Sequence, residues 1–199
     1  ILVVLASQAL FGQHHIEMNV ELNAEKKLLN IQEEITFVNQ SNDSLSFIVL
    51  NDWNNAYSDK NTPLAERFSD EFYRGFHLAK EHERGFTTNL TILNEDKLFV
   101  PWSRTGENPD LITVQLKEKL GPKEKIKLFI TYISKIPSAK FTKFGYYDSS
   151  NFNLKDWFLA PARYENHAFV NYSNCNLDDI ANGICSYIIN FKIPKQLAL

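Results

Sequence analysis

The sequence predicts an all-β domain, an antiparallel β-sandwich with one short helix inserted after the third strand. Three observations favour this fold class. Several short segments alternate apolar and polar side chains, which is the period of a half-buried strand. Turn-forming Asn, Asp, Gly and Pro residues separate these segments at short intervals. Finally, a chain of 199 residues with 44% hydrophobic and 13% aromatic side chains can bury one globular core.

The first two strands form a predicted hairpin, with the turn NAEKK between them. The segment HIEMNVEL alternates strictly, and the run from 29 to 37 repeats the pattern. The predicted inward-facing residues are Ile16, Met18, Val20 and Leu22, followed by Leu29, Ile31, Ile35 and Phe37. The polar residues between them are expected to face water.

Five further strands follow the hairpin. The third contains Leu45, Phe47 and Val49, the fourth spans 86–93, the fifth contains Ile112, Val114 and Leu116, the sixth contains Ile126, Leu128, Ile130 and Tyr132, and the last spans 185–193. Between the fifth and sixth, residues 117–127 alternate Glu and Lys around Gly121-Pro122. This composition is typical of a solvated hairpin end.

A junction, WNNAYSDKNTPLAERF, leads from the third strand into the helix. Thr62 can cap free amides and Pro63 suits a first helical position. An apolar stripe follows at a spacing of four residues: Leu64, Phe68, Phe72 and Phe76. The stripe predicts a helix of about four to five turns that ends near Gly85. Trp53 and Tyr57 are interpreted as buried plugs, with a role as ligand platforms as the alternative.

The beginning of the chain differs in character from the rest. Residues 1–13, ILVVLASQALFGQ, form an apolar run that ends in small and polar residues, as a signal-peptide remnant does. Polar residues interrupt the run too early for a membrane span of about 20 apolar residues. We therefore predict a mature domain over 14–199 in an exported protein, periplasmic, cell-surface or secreted. A first core strand is the alternative interpretation of 1–13.

Composition and motifs restrict the possible functions. The 21 basic and 24 acidic residues give a net charge of −3 and are scattered, which disfavours a nucleic-acid partner. Cys175 and Cys185 are compatible with a disulfide or with free thiols, and not with a zinc site. The acidic pair Asp178-Asp179 is interpreted as solvated loop acids. The chain has no H-E-x-x-H, G-x-S-x-G or phosphate-binding glycine motif, and its histidines do not converge.

Three segments nevertheless share patterns with one known family. FIVLNDWNNAYSDKNTPLAERF resembles a strand that runs into L-W-P-N-A-Y, with Asn54 in place of proline. DWFLAPARYEN resembles W-Y-P-K-P-A-V-Y-D, and the matching residues are Trp157, Pro161, Ala162 and Tyr164. Leu159 and Glu165 depart from that second pattern. LKEKLGPKEKIKLFITY is similar to a hairpin of the same family.

These segments resemble the amino-terminal domain of gluzincin zinc aminopeptidases, the alanyl aminopeptidase and leukotriene hydrolase-like metallopeptidases, in an exported bacterial branch. The resemblance covers roughly 14–199. It implies a saddle-shaped β-sandwich that packs on a catalytic domain of the same polypeptide and helps shape its cleft for a peptide substrate. In the family, the catalytic domain that follows holds zinc through an H-E-x-x-H motif and a further glutamate. The H-E-x-x-H motif is not found in this sequence. Zinc is therefore expected in the catalytic domain, and this chain is expected to be a non-catalytic fragment of a hydrolase.

By the same resemblance, the segment 145–166 leads towards the active-site cleft. Tyr147, Trp157, Arg163 and Tyr164 are predicted at the interdomain face or the rim of the cleft. For Trp157 a place in the sandwich core is an equal alternative. The Gln or Glu with which the family binds the substrate amine has no counterpart between Phe144 and Phe158. The competing hypothesis is a free-standing exported module that binds peptide or carbohydrate through exposed aromatic residues, namely Tyr146, Tyr147 and Trp157.

Overall fold

The structure is a computed structural model that describes residues 13–175 and 181–197, and it confirms the all-β class. The strands are β1 His14–Asn23, β2 Leu28–Val38, β3 Leu45–Asn51, β4 Phe86–Leu93, β5 Trp102–Ser103, β6 Leu111–Leu120, β7 Lys125–Lys135, β8 Gly145–Tyr146, β9 Phe152–Asn153, β10 Ala160–Pro161, β11 Tyr164–Glu165, β12 Ala168–Phe169 and β13 Cys185–Lys192. One α-helix, α1 Pro63–Asp70, follows β3, and short 3-10 turns lie at Trp53–Tyr57, Glu81–Glu83 and Lys195–Leu197.

The larger sheet has five strands in the order β13-β1-β2-β7-β4. Neighbours are antiparallel except that β13 runs parallel to β1, where His14 aligns with Cys185 and Glu21 with Lys192. A parallel pair needs a crossover connection. Here the connection from β1 to β13 consists of residues 24–184, which form most of the domain. The sheet is thus mixed at one edge, which the alternation of side chains does not predict.

The smaller sheet has four strands in the order β10-β3-β6-β5, and two hairpins, β11-β12 and β8-β9, complete the domain. Apolar side chains from the inner faces of both main sheets form one core. All eight inward-facing residues predicted for the first two strands are buried. Alternation therefore predicts the core face of β1 and β2 correctly.

Strand β3 departs from the simple alternation. Phe47 is largely exposed, whereas Ile48 and Leu50 are fully buried. The pairing of β3 with β6 shifts register between Leu45 and Phe47, and an irregularity of this kind changes which residues face the core. The prediction that Leu45, Phe47 and Val49 belong to the third strand is confirmed, but strict alternation does not hold along it.

The connection at 117–127 is not a hairpin end, because β6 and β7 belong to different sheets. The chain passes from one layer of the sandwich to the other around Asn39. The Asn39 side-chain amide donates to the Leu120 carbonyl oxygen at 3.0 Å, and the Lys123 N–H donates to the Asn39 carbonyl oxygen at 2.8 Å. The predicted solvent exposure holds for most of the charged residues in this segment.

Helix α1 begins where the sequence predicts, but it ends at Asp70, about 15 residues before the predicted end near Gly85. The Thr62 hydroxyl accepts a hydrogen bond from the Ala65 N–H at 3.2 Å, and Pro63 is the first helical residue. At the other end the Tyr73 N–H donates to the Phe68 carbonyl oxygen at 2.7 Å, while Phe72 takes φ 59°. This is a Schellman ending with a left-handed residue. The predicted helix of four to five turns is wrong, and Phe72 is 92% exposed.

The remaining stripe residues still form a small second core. The buried members of this aromatic cluster are Ala56, Tyr57, Leu64, Ala65, Phe68, Phe76 and Phe141. Phe76 returns to it from the turn after α1 and contacts Phe68 with ring centroids 5.3 Å apart. Trp53 and Tyr57 are buried, which confirms their interpretation as plugs at the junction. A plug of this kind is expected to have its polar tip hydrogen-bonded; this holds for the Tyr57 hydroxyl, 3.1 Å from the Thr142 hydroxyl, and is wrong for Trp53, whose Nε1 has no partner among the described residues.

Some sequence-based expectations concern residues that the structure does not describe. Residues 1–12 of the predicted leader and the pair Asp178-Asp179 lie outside the described ranges. Cys175 and Cys185 are free thiols, the first exposed and the second half-buried. Within the described ranges, none of the helices has the length and hydrophobicity that a membrane-spanning helix requires.

Candidate functional site

Two of the four predicted rim residues lie in different parts of the domain. Tyr147 follows β8, is largely exposed, and its hydroxyl donates to the Lys143 carbonyl oxygen at 3.1 Å. Trp157 is half-buried and packs against Phe158 and Phe191, with ring centroids 5.0 and 5.5 Å apart. Trp157 therefore lies against the edge strand β13, and it is neither a fully buried core residue nor a free platform.

The other two predicted residues, Arg163 and Tyr164, lie at the hairpin β11-β12. Arg163 is exposed and pairs with Glu165 at 3.2 Å. The Tyr164 hydroxyl donates to Asp43 Oδ2 at 2.7 Å, and the His167 ring nitrogen Nδ1 lies 2.9 Å from the same oxygen. These two bonds hold the pKa of Asp43 below its usual range. Arg163 and Tyr164 thus belong to one surface, at a different place from Tyr147 and Trp157.

A surface that the sequence analysis did not single out is the strand β13. It is an edge of the five-stranded sheet, and its outer side has no strand partner among the described residues. Four large apolar residues of the strand and one directly after it are each 37–48% exposed, and they are Tyr187, Ile188, Ile189, Phe191 and Ile193. An unpaired strand edge with exposed apolar side chains is a template for pairing and packing. We refer to these five residues as the β13 edge.

The segment that carries Trp157 extends the β13 edge. Phe158 contacts Tyr187 with ring centroids 5.6 Å apart, and Trp157 contacts Phe191. Trp157 and Phe158 thus form one apolar surface with Tyr187 and Phe191, on the face of β13 that continues the core face of β1. A sequence signal for it existed: YIINF places apolar residues at four of five consecutive positions, and a strand with apolar side chains on both faces is typical of burial on both sides.

A buried carboxyl group lies in the core behind this surface. Glu33 is on the inner face of β2, and Tyr132 donates to its Oε2 at 2.6 Å. The Leu159 N–H donates to the Tyr132 hydroxyl at 3.0 Å, which ties the carboxyl to the segment after Trp157. Glu33 Oε1 has no hydrogen-bond partner among the described residues. Burial raises the pKa of Glu33 to about 8, although the bond from Tyr132 opposes this effect.

Two further buried carboxyl groups hold loops in place. Asp52 pairs with Arg104 and accepts a hydrogen bond from the Thr87 hydroxyl at 2.7 Å. Asp110 accepts hydrogen bonds from the Ser173 hydroxyl and, at 2.6 Å, from the Asn174 N–H. Burial raises the pKa of both carboxyl groups. Both carboxyl groups bind residues of loops and strands within the domain. This geometry indicates that Asp52 and Asp110 stabilise the fold.

The described residues do not offer a zinc site. Over 13–175 and 181–197, no group of three or more His, Cys, Asp or Glu side chains is placed to hold a metal ion. The histidines have separate partners: His14 stacks on Phe37, and His77 lies 3.4 Å from the Ser69 hydroxyl. Burial lowers the pKa of His14 to about 4.

Comparison with known proteins gives similarity at the level of solved structures. No family model matches the sequence, and no curated protein matches it. A mutant of the M1 zinc metallopeptidase from Deinococcus radiodurans is 12% identical over 92% of this chain and 32% of that chain, with a TM-score of 0.42. A two-domain M1 zinc metallopeptidase mutant bound to L-arginine is 13% identical over 94% of this chain and 33% of that chain, with a TM-score of 0.40.

The chain thus spans about a third of the length of the solved structures that it matches. Another structure of the Deinococcus radiodurans mutant, bound to a Tyr-Ser-Ala substrate, has the same identity, coverage and TM-score. Similarity at this level assigns no activity to this chain.

Proposed function

We propose that this chain is the non-catalytic amino-terminal domain of a zinc metallopeptidase of the aminopeptidase type. In this proposal it packs against a catalytic domain of the same polypeptide, and the protein works outside the cytoplasm. The observation that carries the proposal is the β13 edge, where five large apolar residues are exposed along a strand whose outer side has no strand partner among the described residues. A domain that functions alone rarely leaves such a patch in water, so the patch is typical of a surface that a neighbour covers.

The positions of the three resembling segments support the same proposal. The first segment forms β3 and the buried turn after it, and the second contains β10, which pairs with β3. There Pro161 aligns with Leu50 and Ala160 with Asn51. The third segment contains the end of β6, where Leu120 aligns with Leu45 of β3, and most of β7, which lies in the five-stranded sheet. The first two segments, which are about 100 residues apart in the sequence, therefore pair in one sheet, as parts of one shared framework would.

The proposed contribution to the active site is the shape of its rim. Trp157 lies beside the β13 edge, and we place it at the interdomain face. Tyr147, Arg163 and Tyr164 are assigned to that face or to the rim on the sequence resemblance alone. Zinc and the groups that activate water would belong to the catalytic domain, and a peptide would be the substrate. The described residues of this chain would supply no zinc ligand.

The test is hydrogen exchange on the isolated chain and on the longer polypeptide that contains it. If a catalytic domain covers the β13 edge, amides in 185–193 should exchange at least about tenfold more slowly in the longer protein. The control is β2, which is central in the sheet and should exchange equally in both. Equal exchange at 185–193 would show that the β13 edge is free, and the docking proposal would be wrong.

A second test concerns activity. The isolated chain, supplied with zinc, is expected to release no product from amino-acid anilides, while the longer polypeptide hydrolyses them. Chelator-sensitive turnover by the purified isolated chain would contradict the non-catalytic assignment. An H-E-x-x-H motif followed by a glutamate in the coding sequence beyond Leu199 would support it.

The alternative of an aromatic sugar- or peptide-binding platform is less well supported. Of the three residues proposed for it, Tyr146 is half-buried with the Lys27 ammonium 5.5 Å from its ring centre, and Trp157 is half-buried against β13. Tyr147 is the one that is largely exposed. These three side chains therefore do not present one open stacking surface.

A further inference from the structure

The outer face of the five-stranded sheet carries a row of side-chain amides. The register aligns Asn190 of β13 with Asn19 of β1, and Asn190 Nδ2 donates to Asn19 Oδ1 at 3.1 Å. Asn19 in turn faces Gln32 of β2, and Gln32 faces Thr131 of β7. All four side chains are exposed. Since aligned residues on neighbouring strands share a face about 4.8 Å apart, they form a polar line across the sheet.

This line crosses a groove of about 750 Å³ on the same face. Two further amide side chains line the groove: Asn30 of β2, two residues before Gln32, and Asn89 of β4. Asn89 lies in an irregularity of the β4-β7 pairing and has φ 55°. Smaller cavities of about 450 and 330 Å³ share Asn30 and Gln32, respectively, with the groove. The groove therefore continues along the strands in both directions and suits an extended ligand.

The chemistry of the lining of the 750 Å³ groove is polar and close to neutral. The smaller cavities add carboxyl groups, Glu25 on one side and Glu17, Glu33 and Glu34 on the other, of which Glu34 pairs with Lys127. A carboxamide offers both donors and an acceptor, and a threonine hydroxyl offers one of each. The charged side chains in the groove neutralise each other, because Lys192 Nζ lies 2.6 Å from Glu21 Oε1. Ile133 adds an apolar contact. Such a surface matches a ligand that is rich in hydroxyl groups and carries no net charge.

We infer that this groove binds a neutral, linear oligosaccharide. An extended peptide is bound mainly through its own main chain at a free sheet edge. On the face of the sheet, by contrast, the main-chain groups of β1, β2 and β7 are engaged in the strand ladder. On this face only side chains are available to bind a ligand. An amide side chain can donate to one hydroxyl group of a sugar and accept from a neighbouring one. The inference does not depend on the proposed metallopeptidase role.

The experiment is a titration of the isotope-labelled chain with maltohexaose, cellohexaose and chitohexaose, followed by NMR of the side-chain amide groups. At least one of these sugars should shift the NH₂ resonances of Asn19, Gln32 and Asn190 in a saturable way. Gln32→Ala should then weaken that binding at least fivefold. The matched control is Asn42→Ala, an exposed amide in the turn before β3, which should leave the affinity unchanged.

Three outcomes would overturn the inference. The first is that none of the three sugars shifts the amide resonances of the row at millimolar concentration. The second is that the shifts lie elsewhere on the domain and Gln32→Ala has no effect. The third is that an uncharged extended peptide shifts the same row more strongly than any sugar, which would assign the groove to peptides. The side-chain amide resonances of the unmodified protein report on these residues directly, so the test remains valid even if Gln32→Ala fails to fold.

Discussion

Replacement of Glu33 by glutamine should change how the stability of this domain depends on pH. Glu33 lies on the core face of β2, where its Oε2 accepts a bond from Tyr132 and its Oε1 lacks a hydrogen-bond partner among the described residues. The folded state therefore favours the protonated carboxyl, with a proton on Oε1. Glu33→Gln keeps the shape of the side chain and removes its ability to ionise.

The magnitude follows from the pKa of Glu33, which burial raises from 4.5 to about 8. At 1.36 kcal/mol for each pKa unit, this difference corresponds to on the order of 5 kcal/mol. Between pH 4.5 and 8 the unfolded chain has lost this proton while the folded chain keeps it, so the free energy of unfolding decreases as pH rises. The loss is absent below pH 4.5 and complete above pH 8.

The assay is urea unfolding at pH 5, 7 and 9, followed by tryptophan fluorescence. At pH 5 the unmodified protein and Glu33→Gln should differ little, and at pH 9 the variant should be more stable by several kcal/mol. Buried Asp52 and Asp110 also have raised pKa values, but they contribute to both proteins and cancel in the difference. Glu34→Gln, on the outer face beside Lys127, is the control that should retain the decline. Parallel pH profiles for the unmodified protein and Glu33→Gln would refute the reasoning.

Five substitutions, of which Phe72→Ala and Gly106→Ala are controls, test the second core, a buried ion pair and a strained glycine. Phe68→Ala should lower the free energy of unfolding by about 3–5 kcal/mol because the side chain is buried, whereas Phe72→Ala should lower it by less than about 1 kcal/mol because Phe72 is exposed. Similar urea midpoints for the two variants would contradict this assignment. Arg104→Ala leaves its buried carboxylate partner without a counter-charge and should cost about 3–5 kcal/mol at pH 7 in the same assay. Gly145→Ala would place a methyl group 2.0 Å from a backbone oxygen at φ 128° and should cost more than about 2 kcal/mol by thermal unfolding. Gly106→Ala, which meets no atom within 4 Å, should cost little, and equal losses at both glycines would argue against the strain.

The elements that depend on local chemistry were predictable from the sequence. Alternation placed Ile16 and Met18 on the core face because the side-chain period of a strand is a local property of the backbone. Thr62 and Pro63 marked the start of the helix for the same kind of reason, since a cap acts within one turn. The assignment of Tyr147, Trp157, Arg163 and Tyr164 to an interdomain face or rim stays a prediction.

The sequence by itself thus determined the fold class, the core faces of β1 and β2 and the start of the helix. Tertiary contacts decided the rest. Helix α1 ends at Asp70, before the left-handed Phe72, because the buried second core holds Phe76 in a turn, and a left-handed phenylalanine has no local signature. The parallel pairing of β13 with β1 joins residues 171 positions apart, so no short-range pattern encodes it. Glu33 occupied an inward position in the alternation, but only the fold brought the Tyr132 hydroxyl to one of its oxygens and left the other without a partner among the described residues.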